Sequence, residues 1–230
     1  MAAGPDEEPD LTVIDRFEID EHNGGVGWFA YPDEPMQRAS HALQVDGAVW
    51  VIDPVDAPGV DDLLAEFGEV AGVALLLDRH KRDAAAIARR HDVAVHLPTF
   101  MRGVADDLDA ETVTYRRELG DTGYGAHEVV NNRFWKEAAL YGEDTGVLVV
   151  ADALGTNDFI LARGERLGIS PVLRLRPPRK LARLAPERIL VGHGEGIHEE
   201  AAEALQEAFR GTRRRAPRLF LSNLKYFLPF

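Results

Sequence analysis

The side chains of this chain that could bind a metal ion or move a proton are histidines and carboxylates, because it contains no cysteine. Thiolate metal sites, thiol nucleophiles and disulfides are therefore excluded. The densest group of candidates is Leu75-Leu76-Leu77-Asp78-Arg79-His80-Lys81-Arg82-Asp83-Ala84. Two more stand at the ends of apolar runs: Asp152 after 146–150, and His193 in Gly192-His193-Gly194 after 188–191. A divalent ion needs lone pairs from neutral imidazole or carboxylate. Guanidinium has none to give, and lysine only as the rare neutral amine. His80, Asp83, Asp152 and His193 are thus candidate ligands of one ion, whereas Arg79 and Lys81 could instead hold an anion.

Periodicity shows what must position these residues. The run 73–77 predicts a buried strand, 83–90 a helix and 93–97 a second strand. Short strands are predicted at 17–19 and 26–31, separated by Asn23-Gly24-Gly25. Asp46-Gly47 between 41–45 and 48–52 is a two-residue hairpin signal. Pro54 and Pro58 end that hairpin, and a helix follows over about 60–67. Further strands are expected at 112–117, 127–130, 138–141, 146–150 and 188–191, with Asn131-Asn132 as a turn. A helix over 199–209 should end at Gly211, and a last one should span about 217–227. Two sheets, each covered by helices, accommodate this order.

Length and composition narrow the class. With 230 residues, 45% hydrophobic, the chain can bury one large core, assigned to 13–230. The acidic stretch 1–12 is read as a disordered tail without a signal-peptide core. No apolar run is long enough for a membrane span. The net charge of −13, with arginine far outnumbering lysine, resembles the cytoplasmic proteins of extreme halophiles and argues against nucleic acid as a partner. The apolar C-terminal segment 219–230 offers a surface for a homo-oligomer.

Four stretches, in order, resemble the metallo-β-lactamase superfamily: Ser40-His41-Ala42-Leu43-Gln44-Val45-Asp46-Gly47-Ala48-Val49-Trp50-Val51-Ile52-Asp53-Pro54, the 75–84 loop, Gly146-Val147-Leu148-Val149-Val150-Ala151-Asp152, and Ile189-Leu190-Val191-Gly192-His193-Gly194. The resemblance spans about 38–210. It implies a four-layer αββα sandwich, with Asp53 beneath the site, Asp152 in the metal-bridging position and His193 in a ligand position. It also implies a His-x-His-x-Asp-His motif in the loop, of which only Asp83 remains in register. Arg79, Lys81 and Ala84 stand where histidines belong, and Arg133, or by another count His127, falls where a further ligand is expected. His80, one residue out of register, is expected to point away.

These departures imply a degenerate site without cofactor. An internal cluster of Arg79, Lys81 and Arg133 around Asp83 and Asp152 would replace the metal charge. The resulting protein would be non-catalytic, binding a small anion or serving as a scaffold. The alternative is a metal-dependent hydrolase of esters, thioesters or phosphodiesters with a rearranged mononuclear zinc or iron site. The direction of His80 separates the two.

Overall fold

The computed structural model describes residues 8–223. Seven strands form the first sheet in chain order: β1 (Thr12–Glu18), β2 (Gly24–Phe29), β3 (Ala39–Val45), β4 (Ala48–Ile52), β5 (Glu69–Ala74), β6 (Val95–Pro98) and β7 (Thr112–Tyr115). The first four are antiparallel neighbours, and β4 to β7 are parallel. The β3–β4 hairpin turns at Asp46 and Gly47, both with positive φ (50° and 78°), as a tight two-residue turn requires.

The second sheet has the order β13-β10-β9-β8, from β8 (Tyr124–Asn131), β9 (Lys136–Gly142), β10 (Val147–Val150) and β13 (Arg188–Val191). A small pair, β11 (Leu154–Gly155) and β12 (Gly168–Ile169), follows Asp152. The helices are α1 (Val60–Ala65), α2 (Ala84–Arg90) and α3 (Ala201–Asn223).

Strand alternation builds the layers. On β5, Val73 joins Val49, Val51, Leu63 and Ile87 in a core beneath α1 and α2, while Ala74 faces Leu43, Ile52, Leu140 and Val149 between the sheets. On β10, Val147 and Val149 face that middle core, and Leu148 and Val150 pack with Leu205 and Ala208 of α3. Strands buried on both faces explain the unbroken apolar runs. The architecture is the expected αββα sandwich.

Two boundaries differ from expectation. α3 is one helix running through Gly211 and Pro217. Its buried stripe, Ala201, Ala204, Leu205, Ala208, Thr212, Ala216 and Leu219, continues at helical spacing past the glycine. That burial works against the helix penalties of roughly 1 kcal/mol for Gly211 and roughly 3 kcal/mol for Pro217. At the other end the acidic segment is engaged earlier than expected: the Asp10 amide donates to the Ala30 carbonyl and β1 starts at Thr12. Residues 1–7 of the expected tail, and 224–230 of the expected last helix, lie outside the described residues. No described helix is long and apolar enough to cross a membrane.

Candidate metal centre

Four strands of the two sheets end at one place, and the residue or loop after each supplies one polar group. Asp53 follows β4 with φ 46°. Its Oδ1 accepts the Leu76 amide at 2.9 Å and its Oδ2 lies 3.0 Å from His80 Nδ1. His80 sits in the loop after β5, in a turn closed by its amide on the Leu77 carbonyl. Asp152 follows β10, and His193 follows β13. Both His80 Nε2 and His193 Nε2 lie 3.0 Å from Asp152 Oδ1. That oxygen is buried, and neither approach makes a well-formed hydrogen bond. The rings meet edge-on with centroids 5.7 Å apart. Among the described residues, His80, Asp152 and His193 are the one group of three or more His, Asp or Glu donors gathered closely enough to hold an ion.

Tautomers follow from the outer contacts. His193 Nδ1 donates to the Met36 carbonyl at 2.8 Å. His80 Nδ1 donates to the Asp53 carboxylate. In the neutral rings both protons are therefore on Nδ1, and both Nε2 lone pairs face Asp152 Oδ1. Two imidazole nitrogens and one carboxylate oxygen suit a single zinc or iron ion with positions left open. Among the described residues a second ion has no comparable set. The residues thus fit one metal ion and not two.

Electrostatics tie the group together. Burial alone would raise the Asp152 carboxyl, but His80 and His193 override it and hold it well below the ordinary range. Burial and Arg82 would lower His80, yet Asp152 and Asp53 win and its net shift is upward. Behind Asp152, fully buried Glu137 accepts the Asp152 and Ala153 amides on Oε1 at 3.0 and 2.9 Å and the Trp135 indole on Oε2 at 2.8 Å. Burial and the Asp152 charge push the Glu137 carboxyl up to about 8 despite those donors.

Two cations flank the cluster. Arg79, about half exposed, stacks over Trp135 at 4.8 Å, donates to the Phe134 carbonyl at 3.2 Å and reaches Asp152 Oδ2 at 3.4 Å. Arg82 Nη1 donates to the Ala39 and Asp53 carbonyls at 2.7 and 2.6 Å. Its Nη2 lies 3.4 Å from His80 Nε2 and 3.5 Å from the Gly192 carbonyl. Gln37, Asp53 and Arg82, all with positive φ, border the site.

Several expected residues are elsewhere. Asp83 occupies the N-cap position of α2, but its Oδ2 accepts the Asp56 amide at 2.9 Å and does not join Asp152. Lys81 pairs with Asp107 at 2.8 Å on the surface. Exposed Arg133 lies over the Phe134 ring at 5.7 Å. His127, on β8, sits beside Tyr141 with centroids 6.4 Å apart. The expected cationic cluster of Arg79, Lys81 and Arg133 around Asp83 and Asp152 is therefore corrected to Arg79 and Arg82 around Asp152. His80, expected to point out, points in because Asp53 captures its Nδ1. Arg82, Glu137 and the Met36 carbonyl were not anticipated. For Glu137 a signal existed: a lone acid directly precedes the apolar run Ala138-Ala139-Leu140.

No protein-family model and no curated protein matches this sequence. Solved structures do match its fold. The DIM-1 metallo-β-lactamase exposed to ceftazidime aligns with TM-score 0.58 and 12% identity over 89% of this chain and 99% of that one. Rubredoxin oxygen:oxidoreductase from Desulfovibrio gigas aligns at 0.62 and 14%, over 88% and 62%. A flavoprotein from Thermotoga maritima aligns at 0.63 and 14%, over 87% and 60%. The chain has the metallo-β-lactamase fold.

Proposed function

We propose that this chain is a metal-dependent hydrolase whose single zinc or iron ion is held by His80, Asp152 and His193. The observation that carries the reading is the convergence of two imidazole Nε2 atoms on one Asp152 oxygen, each with its Nδ1 already engaged. An ion at that point would supply Lewis acidity for hydrolysis of an ester, thioester or phosphodiester. The chain's own contribution is positional. Asp53 and the Met36 carbonyl fix both rings, Glu137 anchors the turn that carries Asp152, and Arg79 stands at the half-exposed side of Asp152.

A metal-free, non-catalytic shell is the competing reading. Its support is Arg82, whose Nη2 is the protein donor nearest the His80 lone pair, at 3.4 Å. That contact is long for a hydrogen bond, so it competes weakly with a coordinate bond.

Elemental analysis decides between them. The full chain, incubated with zinc or ferrous iron and desalted, should retain close to one equivalent, and His193→Ala should retain far less. Wild type holding no more than His193→Ala would leave the metal-free shell.

A further inference from the structure

We propose that Arg79 and Arg82 restrict this site to substrates that carry an oxyanion, phosphate or carboxylate, next to the bond to be broken. The inference rests on the reading of a single-ion hydrolase and names its substrate class.

Charge count is the first support. Arg79 and Arg82 together offset Asp53 and Asp152. A divalent ion between His80, Asp152 and His193 then adds two positive charges, and Glu137 as a carboxylate would remove only one. The loaded site therefore keeps a positive surplus inside a protein of net charge −13. A local positive surplus on an otherwise acidic protein favours an anionic ligand there.

The partners of the two guanidinium groups are the second support. Arg82 bonds to the Ala39, Asp53 and Gly192 carbonyls, with no carboxylate among its hydrogen-bond partners in the described residues. Its Nε is buried and has no hydrogen-bond partner. Arg82 is thus held in place by backbone carbonyls and acts on the site through its charge, with Asp53, Asp152 and Glu34 close enough to favour that charge. Arg79 meets its one carboxylate, Asp152, at only 3.4 Å, and that oxygen belongs to a residue already committed to the imidazoles. The Trp135 ring and the Phe134 carbonyl hold Arg79 in position while half of its side chain stays in solvent. A fixed, half-exposed guanidinium with free N–H groups is suited to two-point contact with an oxyanion.

Lys81 and Arg133 have no part in this recognition, because their side chains lie on the outer surface. The direct contact therefore comes from half-exposed Arg79, and buried Arg82 adds its charge from behind.

The test uses the full-length protein, inorganic phosphate as probe and a matched pair of aryl esters, one neutral and one with a free carboxylate beside the ester. Phosphate should bind the metal-loaded protein saturably in calorimetry. It should inhibit hydrolysis competitively, and kcat/KM should favour the anionic ester at least tenfold. Arg79→Gln should weaken phosphate binding about tenfold and erase the ester preference, mostly through KM, while Arg79→Lys should recover part of both. Equal use of the two esters, or phosphate binding unchanged in Arg79→Gln, would overturn the inference. Should the protein retain no metal and hydrolyse nothing, the hydrolase reading fails by itself. Phosphate calorimetry on the metal-free chain then decides: saturable binding weakened by Arg79→Gln upholds oxyanion recognition, and no binding ends it.

Discussion

Asp53 holds His80 from behind, its Oδ2 3.0 Å from His80 Nδ1, while its Oδ1 is fixed by the Leu76 amide. A carboxylate placed in this way selects the ring tautomer that leaves Nε2 free, and raises its basicity as a ligand. Asp53→Ala should lower metal affinity about 10–100-fold. Asp53→Asn should keep the backbone, since asparagine tolerates the positive φ of 46° at this position, but still lose affinity. Competition with a chromophoric chelator measures both. If Asp53→Ala binds metal like wild type, His80 is not oriented by Asp53 or is not a ligand.

Glu137 joins the second sheet to the site. Removing its carboxylate would strand the Asp152 and Ala153 amides and the Trp135 indole in a dry place. Each orphaned donor costs about 1–3 kcal/mol. Glu137→Leu should therefore lower stability by several kcal/mol, by about 3 or more. Glu137→Gln, which keeps an acceptor oxygen, should lose less. Denaturant midpoints for the two variants give the comparison, and equal midpoints would mean that shape alone matters there.

The layered fold was legible because its signals are local and redundant. Apolar runs at 73–77 and 146–150, and a turn at Asp46-Gly47, each specify an element without help from distant residues. The site was less legible because motif register assumes a regular loop backbone. Arg82 has φ 38°, a left-handed conformation that no glycine at 78–84 announces. Counting from Asp83 put Arg79 and Lys81 in the ligand positions, but in the folded loop His80 is the side chain that faces Asp152. Asp83 itself stays at the start of α2 and turns to the Asp56 amide. α3 shows the same limit: Gly211 reads as a stop in sequence, and only the tertiary burial of the stripe beyond it overrides that reading.

Among the described residues, the most buried ion pair lies away from the candidate centre. Arg174 and Glu165, with side chains 0% and 1% exposed, form a two-point pair at 2.6 and 2.9 Å, and Arg174 also donates to the Ile160 carbonyl. Arg174→Ala should destabilise the protein by about 3 kcal/mol, at the low end for a broken buried pair, because Glu165 would keep its buried charge with only the longer Arg215 contact at 3.2 Å to offset it. Arg174→Met with Glu165→Leu should recover part of that loss. Arg79→Ala should change stability by about 1 kcal/mol or less, since Arg79 is 49% exposed and its pair with Asp152 is solvated. Thermal melts of the three variants in one buffer test this order, and a larger loss for Arg79→Ala than for Arg174→Ala would contradict it.

His41 predicts an acid sensitivity independent of any metal. It is buried on β3, and its Nε2 donates to the Val191 carbonyl at 2.9 Å while its Nδ1 has no partner. Protonation would place a charge and an unmatched N–H in the core, so burial pushes its pKa down to about 4. An unfolded histidine titrates near 6.5. The folded state therefore binds fewer protons than the unfolded state between those values. The contribution of neutral His41 is fully present above about pH 6.5 and is lost as pH falls toward 4. At about 1.4 kcal/mol per pKa unit, the loss is on the order of 3 kcal/mol. Urea unfolding of wild type and His41→Gln at pH 7.5, 5.5 and 4 isolates it: the stability difference between the two should move by that amount in favour of the variant as pH falls. A difference that stays constant across the series would show that His41 is not held neutral by the fold.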